Sequence, residues 1–125
     1  MATWNDVERL AAEFTDTALS GVTPEHRVEC NGQTLAWERP YTKADIKRET
    51  AIGAPLHDGV ILAVHTPDVE TAQAYVQMEP DKYFLTQHFG NYPAVLCRLE
   101  ALGDEDVREL LFEARLAKII DPRLG

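Results

Sequence analysis

The sequence predicts an α+β domain of two layers, an antiparallel five-stranded sheet packed by helices in the order α-β(3)-α-β(2)-α. Three observations point there. Asn31-Gly32 lies between two extended runs, and Asn-Gly is the strongest short hairpin signal because a type I′ turn needs positive φ at both central residues. Val95, Cys97 and Leu99 alternate with a period of two, as on one face of a strand. Apolar residues recur at helical spacing behind capping signals near both ends of the chain. Hairpins with helices on one face imply an antiparallel sheet.

The elements follow in order. Thr3 and Asp6 form a capping-box pattern, and Trp4, Val7, Leu10, Ala11 and Phe14 then recur at helical spacing. Thr15 to Pro24 is small and polar and contains Gly21, which reads as a loop. Glu25–Cys30 and Gln33–Glu38 are the two arms of the hairpin, and Pro40 ends the second arm. Thr42 and Asp45 form a second capping box before a short extra helix, Lys43–Thr50. Ala51–Gly59 reads as a loop and Val60–His65 as the third strand. Thr66-Pro67-Asp68 reads as a helix start: a cap, a proline at the first helical position and an acid in the first turn. That helix ends near Pro80, with Val69, Ala72, Tyr75 and Val76 inward. Tyr83–Thr86 and Ala94–Glu100 are strands four and five. Gly103 and Asp104 open a last helix to about Ile120, with Val107, Leu110, Leu111, Ala114 and Ala117 on its apolar face.

A chain of 125 residues suits one domain, spanning 1–125, and buries roughly two thirds of its unfolded surface without disulfides or metals. No apolar run approaches the ~20 residues needed to cross a bilayer. The N-terminus lacks the basic and apolar regions of a signal peptide, so a cytoplasmic protein is expected. Cys30 and Cys97 each lie in an apolar strand-like run, which predicts two buried thiols rather than a disulfide. The net charge of −9 repels phosphate backbones over most of the surface and weighs against non-specific nucleic-acid binding.

Chemistry-bearing motifs are scarce. No glycine-rich phosphate loop, CxxC, HExxH or GxSxG is present. His26, His57, His65 and His88 are scattered without metal-ligand spacing, and Ser20 is the single serine, with no adjacent base. No catalytic residue, metal or cofactor is expected.

Three groups of residues stand out as binding candidates. Glu38 and Arg39 follow Trp37 at a strand end; they are either a charged pair open to a polar ligand or a salt bridge fixing the corner. Arg39, Lys43, Lys47 and Arg48 are one third of the 12 basic residues, and Lys43 and Lys47 share a helix face. They suit an anion or phosphate, or else form a solvated face balanced by Asp45 and Glu49. His88, Phe89, Asn91 and Tyr92 form the hinge between strands four and five, where Gly90 permits a tight turn and Pro93 fixes the exit. They either present an imidazole, a phenol and stacking rings to a ligand or cover the end of the sheet.

Two blocks carry a family resemblance. Leu35-Ala36-Trp37-Glu38-Arg39-Pro40 with Lys43-Ala44-Asp45-Ile46-Lys47-Arg48, and Tyr83–Leu99 around Thr86-Gln87-His88-Phe89-Gly90-Asn91-Tyr92-Pro93, resemble the MmcQ/YjbR family. Gln87 departs from the family's usual proline. The resemblance implies a YjbR-like fold and a DNA-binding label that rests on fold analogy, and no enzymatic activity. A non-enzymatic binding protein is therefore expected, with Trp37–Arg48 and His88–Tyr92 as its surface if they meet in space. The expected partner is DNA, with Arg39, Lys43, Lys47 and Arg48 at phosphates and Phe89 or Tyr92 at bases. The alternatives are a protein-interaction or chaperone-like module, and a small-molecule binder or enzyme using His88 and Tyr92.

Overall fold

A computed structural model describes residues 1–120 of the chain. It has an α+β fold with six strands and four α-helices among the described residues. The helices are α1 (Trp4–Ala11), α2 (Lys43–Ala51), α3 (Val69–Met78) and α4 (Asp104–Ile120). The strands are β1 (Thr17–Ser20), β2 (Arg27–Cys30), β3 (Gln33–Glu38), β4 (Ile61–His65), β5 (Tyr83–Phe84) and β6 (Ala94–Arg98). They form one sheet in the order β1-β2-β3-β4-β6-β5, and every neighbouring pair is antiparallel.

The capping boxes form as the sequence dictates. The Thr3 N–H donates to Asp6 Oδ2 (2.9 Å), and the Thr42 N–H donates to Asp45 Oδ2 (2.8 Å). Asn31 and Gly32 have φ of 52° and 79°, and they join β2 to β3 as an Asn-Gly turn requires.

Several boundaries differ from the expectation, each for a physical reason. The sheet has six strands, not five, because Thr17–Ser20 lies within the stretch read as a loop. This short edge strand pairs with β2 from Thr17↔Cys30 to Ser20↔Arg27. Only Thr17 and Leu19 turn inward, so its alternation is too brief to stand out beside Gly21 and Pro24. Helix α3 is capped by Asp68, whose Oδ1 accepts from the Thr71 N–H (2.7 Å); Thr66 lies outside the helix and donates its hydroxyl to the Asp68 carbonyl (2.7 Å). Strand β5 ends at Phe84, and Leu99–Ala101 turns into a short 3₁₀ helix.

The sheet is covered on both faces. Val28, Leu35, Leu62, Val64, Val95 and Cys97 face α1, α3 and α4, which contribute Val7 and Leu10, Ala72, and Val107, Leu110 and Leu111. Each such aliphatic side chain, taken fully out of water, contributes roughly 1.5–3 kcal/mol. Ile61, Ala63, Ala94 and Leu96 face the other way, under Phe84, Phe89, Trp37, Tyr41 and Tyr92. This second layer explains why the whole of β4 is buried. Cys30 and Cys97 are both free and buried.

Candidate functional site

The second face brings the two resemblance blocks together. Trp37 projects from β3 and lies 4.7 Å from the His65 ring and 6.3 Å from the Phe89 ring. Phe89 belongs to a 3₁₀ turn, Gln87–Phe89, that closes the hinge between β5 and β6. Tyr92 packs edge-on against Phe89 (5.8 Å) and lies 5.9 Å from His65. The Arg39 guanidinium sits 5.4 Å from the centre of the Phe89 ring, within cation–π range.

Helix α2 locks onto this cluster through buried acids. Asp45 is 2% exposed and Glu49 is 4% exposed. Asp45 Oδ2 accepts from Arg39 Nη1 (2.8 Å), and its Oδ1 accepts from Arg48 Nη2 (3.0 Å). Glu49 Oε2 accepts from the Gln87 N–H (3.0 Å), tying the helix to the hinge. Burial raises the Asp45 pKa, but the Thr42 N–H, the Arg39 guanidinium and the Thr42 hydroxyl outweigh it and hold the carboxyl at about 2.

Two of the alternatives weighed from sequence change accordingly. Asp45 and Glu49 do not balance Lys43 and Lys47 on a solvated face; they point inward and the lysines point outward. Glu38 and Arg39 do not pair with each other. Alternation along the chain sends Glu38 to the opposite side, where its carboxylate accepts from His26 Nδ1 (3.0 Å) and from the Thr23 hydroxyl (3.3 Å). Trp4 stacks on that imidazole at 4.3 Å.

The candidate residues therefore separate by availability. Phe89 is buried, Trp37 and Tyr92 are half-buried, and Arg39 and Arg48 are engaged by Asp45. His88 is exposed and meets Phe89 edge-on at 5.2 Å, on a turn also carrying exposed Asn91. His88 and Tyr92 flank Phe89. Lys43 and Lys47 are exposed and make no ion pair or hydrogen bond within the described residues.

His65 was not singled out by sequence reasoning, yet it occupies the centre of the aromatic cluster. It is 5% exposed, and its Nδ1 has no hydrogen-bond partner among the described residues. Burial, reinforced by the Lys118 charge and opposed by the Pro93 carbonyl, lowers its pKa to about 4. The imidazole is therefore a neutral packing group near neutral pH. Its position at the end of a continuous apolar run, buried on both faces, was the available signal.

A second surface, also unmarked in the sequence reading, lies between α3 and α4. Clefts of about 290 Å³ at Pro24–Arg27 and Trp37–Glu38 and of about 260 Å³ around Trp4, Val60 and Leu99 are larger, but the α3–α4 groove of about 170 Å³ adjoins the exposed apolar stripe of α4. Thr71, Ala74, Tyr75 and Met78 line one wall, and Glu109 and Glu113 line the other. Met78 is 79% exposed, and Phe112, Leu116 and Ile119 on α4 are 55%, 45% and 58% exposed. Glu109, Phe112, Glu113 and Leu116 fall at i, i+3, i+4 and i+7, which is one face of a helix. Neither glutamate has an ion pair or hydrogen bond among the described residues. Both lie near enough to Tyr75 that, after burial, their charges push its phenol pKa up. The signal was legible: Phe112, Leu116 and Ile119 form a second apolar stripe opposite the one that enters the core.

Uncharacterised proteins of Mycobacterium bovis (Mb2600) and Mycobacterium tuberculosis (Rv2570, MT2646) are each 39% identical to this chain over 116 residues, covering 93% of it and 88% of the relative. No family model matches the chain. No solved structure matches it. No helix among the described residues is long and apolar enough to cross a membrane.

Proposed function

We propose that this chain, which belongs to the family of the mycobacterial proteins Rv2570 and Mb2600, is a non-enzymatic binding protein whose partner is another protein. The observation that carries this reading is the outer face of α4. A helix whose core stripe is already buried by the sheet also exposes Phe112, Leu116 and Ile119 beside a groove. Contiguous apolar exposure of this kind marks interaction surfaces, and helix-spaced anchors suit a docked segment. The resemblance to the MmcQ/YjbR family, with its implied YjbR-like fold, is consistent with a binding role, as is a cytoplasmic location.

The DNA reading keeps one supporting observation: Lys43 and Lys47 are exposed, without a partner among the described residues, and share one face of α2. Of its other expected contacts, Tyr92 is half-buried and Arg48 is partly exposed. Arg39 and Arg48 neutralise Asp45, Phe89 is buried, and the chain carries a net charge of −9. Two phosphate contacts give only weak affinity with a shallow salt dependence.

Placing a photo-crosslinking residue at position 112, and separately at position 47, tests the two surfaces. One stoichiometric protein adduct from position 112 and none from position 47 is expected. Absence of any adduct at 112, together with low-salt duplex binding that disappears in K43E/K47E, would transfer the function to α2 and nucleic acid.

A further inference from the structure

We infer that the α3–α4 surface takes a basic amphipathic helical segment of its partner, with the partner's apolar face on Met78, Phe112 and Leu116 and its lysines or arginines on Glu109 and Glu113. The inference deepens the protein-binding reading above and rests on it.

Shape sets the class of segment. The groove is bounded by two helices: its lining recurs at helical spacing along α3 as Thr71, Ala74, Tyr75 and Met78, and on α4 it is lined by Glu109 and Glu113, with exposed Phe112 and Leu116 on the adjoining outer face. A helix laid against such a surface presents anchors at i, i+3 or i+4, and i+7, matching that spacing. An extended strand would find no unpaired sheet edge here, because both walls are helical.

Charge sets its sign. Three neighbouring acids are already engaged: Glu105 pairs with Arg108, and Glu79 and Asp106 both pair with Lys82. Glu109 and Glu113 have no ion pair among the described residues and line the groove. A cationic segment would supply their missing partners. An acidic segment would bring like charges together on a chain that is already at −9. The same repulsion opposes a second copy of this chain, whose matching face would set Glu109 and Glu113 against their equivalents.

Three synthetic amphipathic peptides, sharing one leucine face and carrying lysine, serine or glutamate on the polar face, test the inference by calorimetry. The lysine peptide is expected to bind best and to weaken as salt is raised. F112E/L116E should abolish its binding. E109K/E113K should weaken it about tenfold or more and reverse the preference toward the glutamate peptide. All four positions are on the solvent side of α4, and circular dichroism checks that the variants fold. Equal binding of the serine and lysine peptides, or no response to E109K/E113K, overturns the basic partner, as does binding of none of the three. In those cases the protein-binding reading still stands or falls separately on the crosslink at position 112. Sedimentation of the protein alone supplies the remaining arm: a dimer that dissociates in F112E/L116E would assign the face to self-association and overturn the inference.

Discussion

Asp45 is the residue on which the most depends. One buried carboxylate caps α2, holds Arg39 over Phe89 and anchors Arg48. Removing its charge strands two guanidinium groups, one of them largely buried. Asp45→Asn is expected to cost about 3 kcal/mol in urea unfolding, against less than about 1 kcal/mol for Arg48→Met at the more exposed partner. His65 predicts a pH dependence. Its folded pKa of about 4 lies below the ordinary 6.5, so above 6.5 neither state is protonated and stability is full. As pH falls from 6.5 through 4, the unfolded chain binds a proton that the folded one refuses. Stability then drains by on the order of 3 kcal/mol. Urea midpoints across that range should show this slope in the wild type and a shallower one in His65→Phe, where the lowered pKa values of His57 and Asp45 still contribute with the same sign. The sequence made the caps legible at this scale because a capping box is a local pattern. It hid the direction of Asp45 and Glu49, because α2 has no apolar stripe to define an inward face and acids take that place.

Among the elements, α1, α2, β3, β4 and α4 were legible from periodicity and punctuation, while β1 was not. Thr17–Ser20 becomes a strand through its pairing with β2, a tertiary cause that four residues cannot announce. The buried and exposed sides of α4 show the other limit. Its two apolar stripes are both visible in sequence, but only the packed structure tells that Val107, Leu110 and Leu111 are consumed by the core and Phe112 and Leu116 are not. That division predicts a dissociation of stability from binding. Phe112→Ser with Leu116→Ser should leave the unfolding free energy within about 0.5 kcal/mol of wild type while abolishing partner capture. Thr42→Ala should instead lower stability by about 1 kcal/mol through the lost cap, with the α4 surface unaffected.

At the scale of the whole molecule, the two faces of the sheet have different tasks. The aromatic face is largely closed by its own chain, with Glu49 fastening α2 to the hinge, whereas the helical face leaves an open, acid-bordered groove. The hinge that reads as a ligand loop in sequence also fastens α2, through the Gln87 N–H to Glu49, while presenting His88 and Asn91 to solvent. A low-salt titration with duplex DNA should accordingly show little affinity, and what there is should vanish in K43E/K47E. The buried thiols add a consequence for kinetics. Cys30 lies in β2, one strand in from the β1 edge, and Cys97 lies in β6, one strand in from the β5 edge. Cys97 is wholly enclosed, and burial, with the Asp106 charge adding to it, pushes its thiol pKa up. An alkylating reagent must therefore wait for the sheet to open, and the chain carries a natural clock near each margin. Equal labelling rates would mean that the two margins come apart in one event. A faster Cys30 would mean that the β1–β2 hairpin breathes alone while the rest of the sheet stays shut.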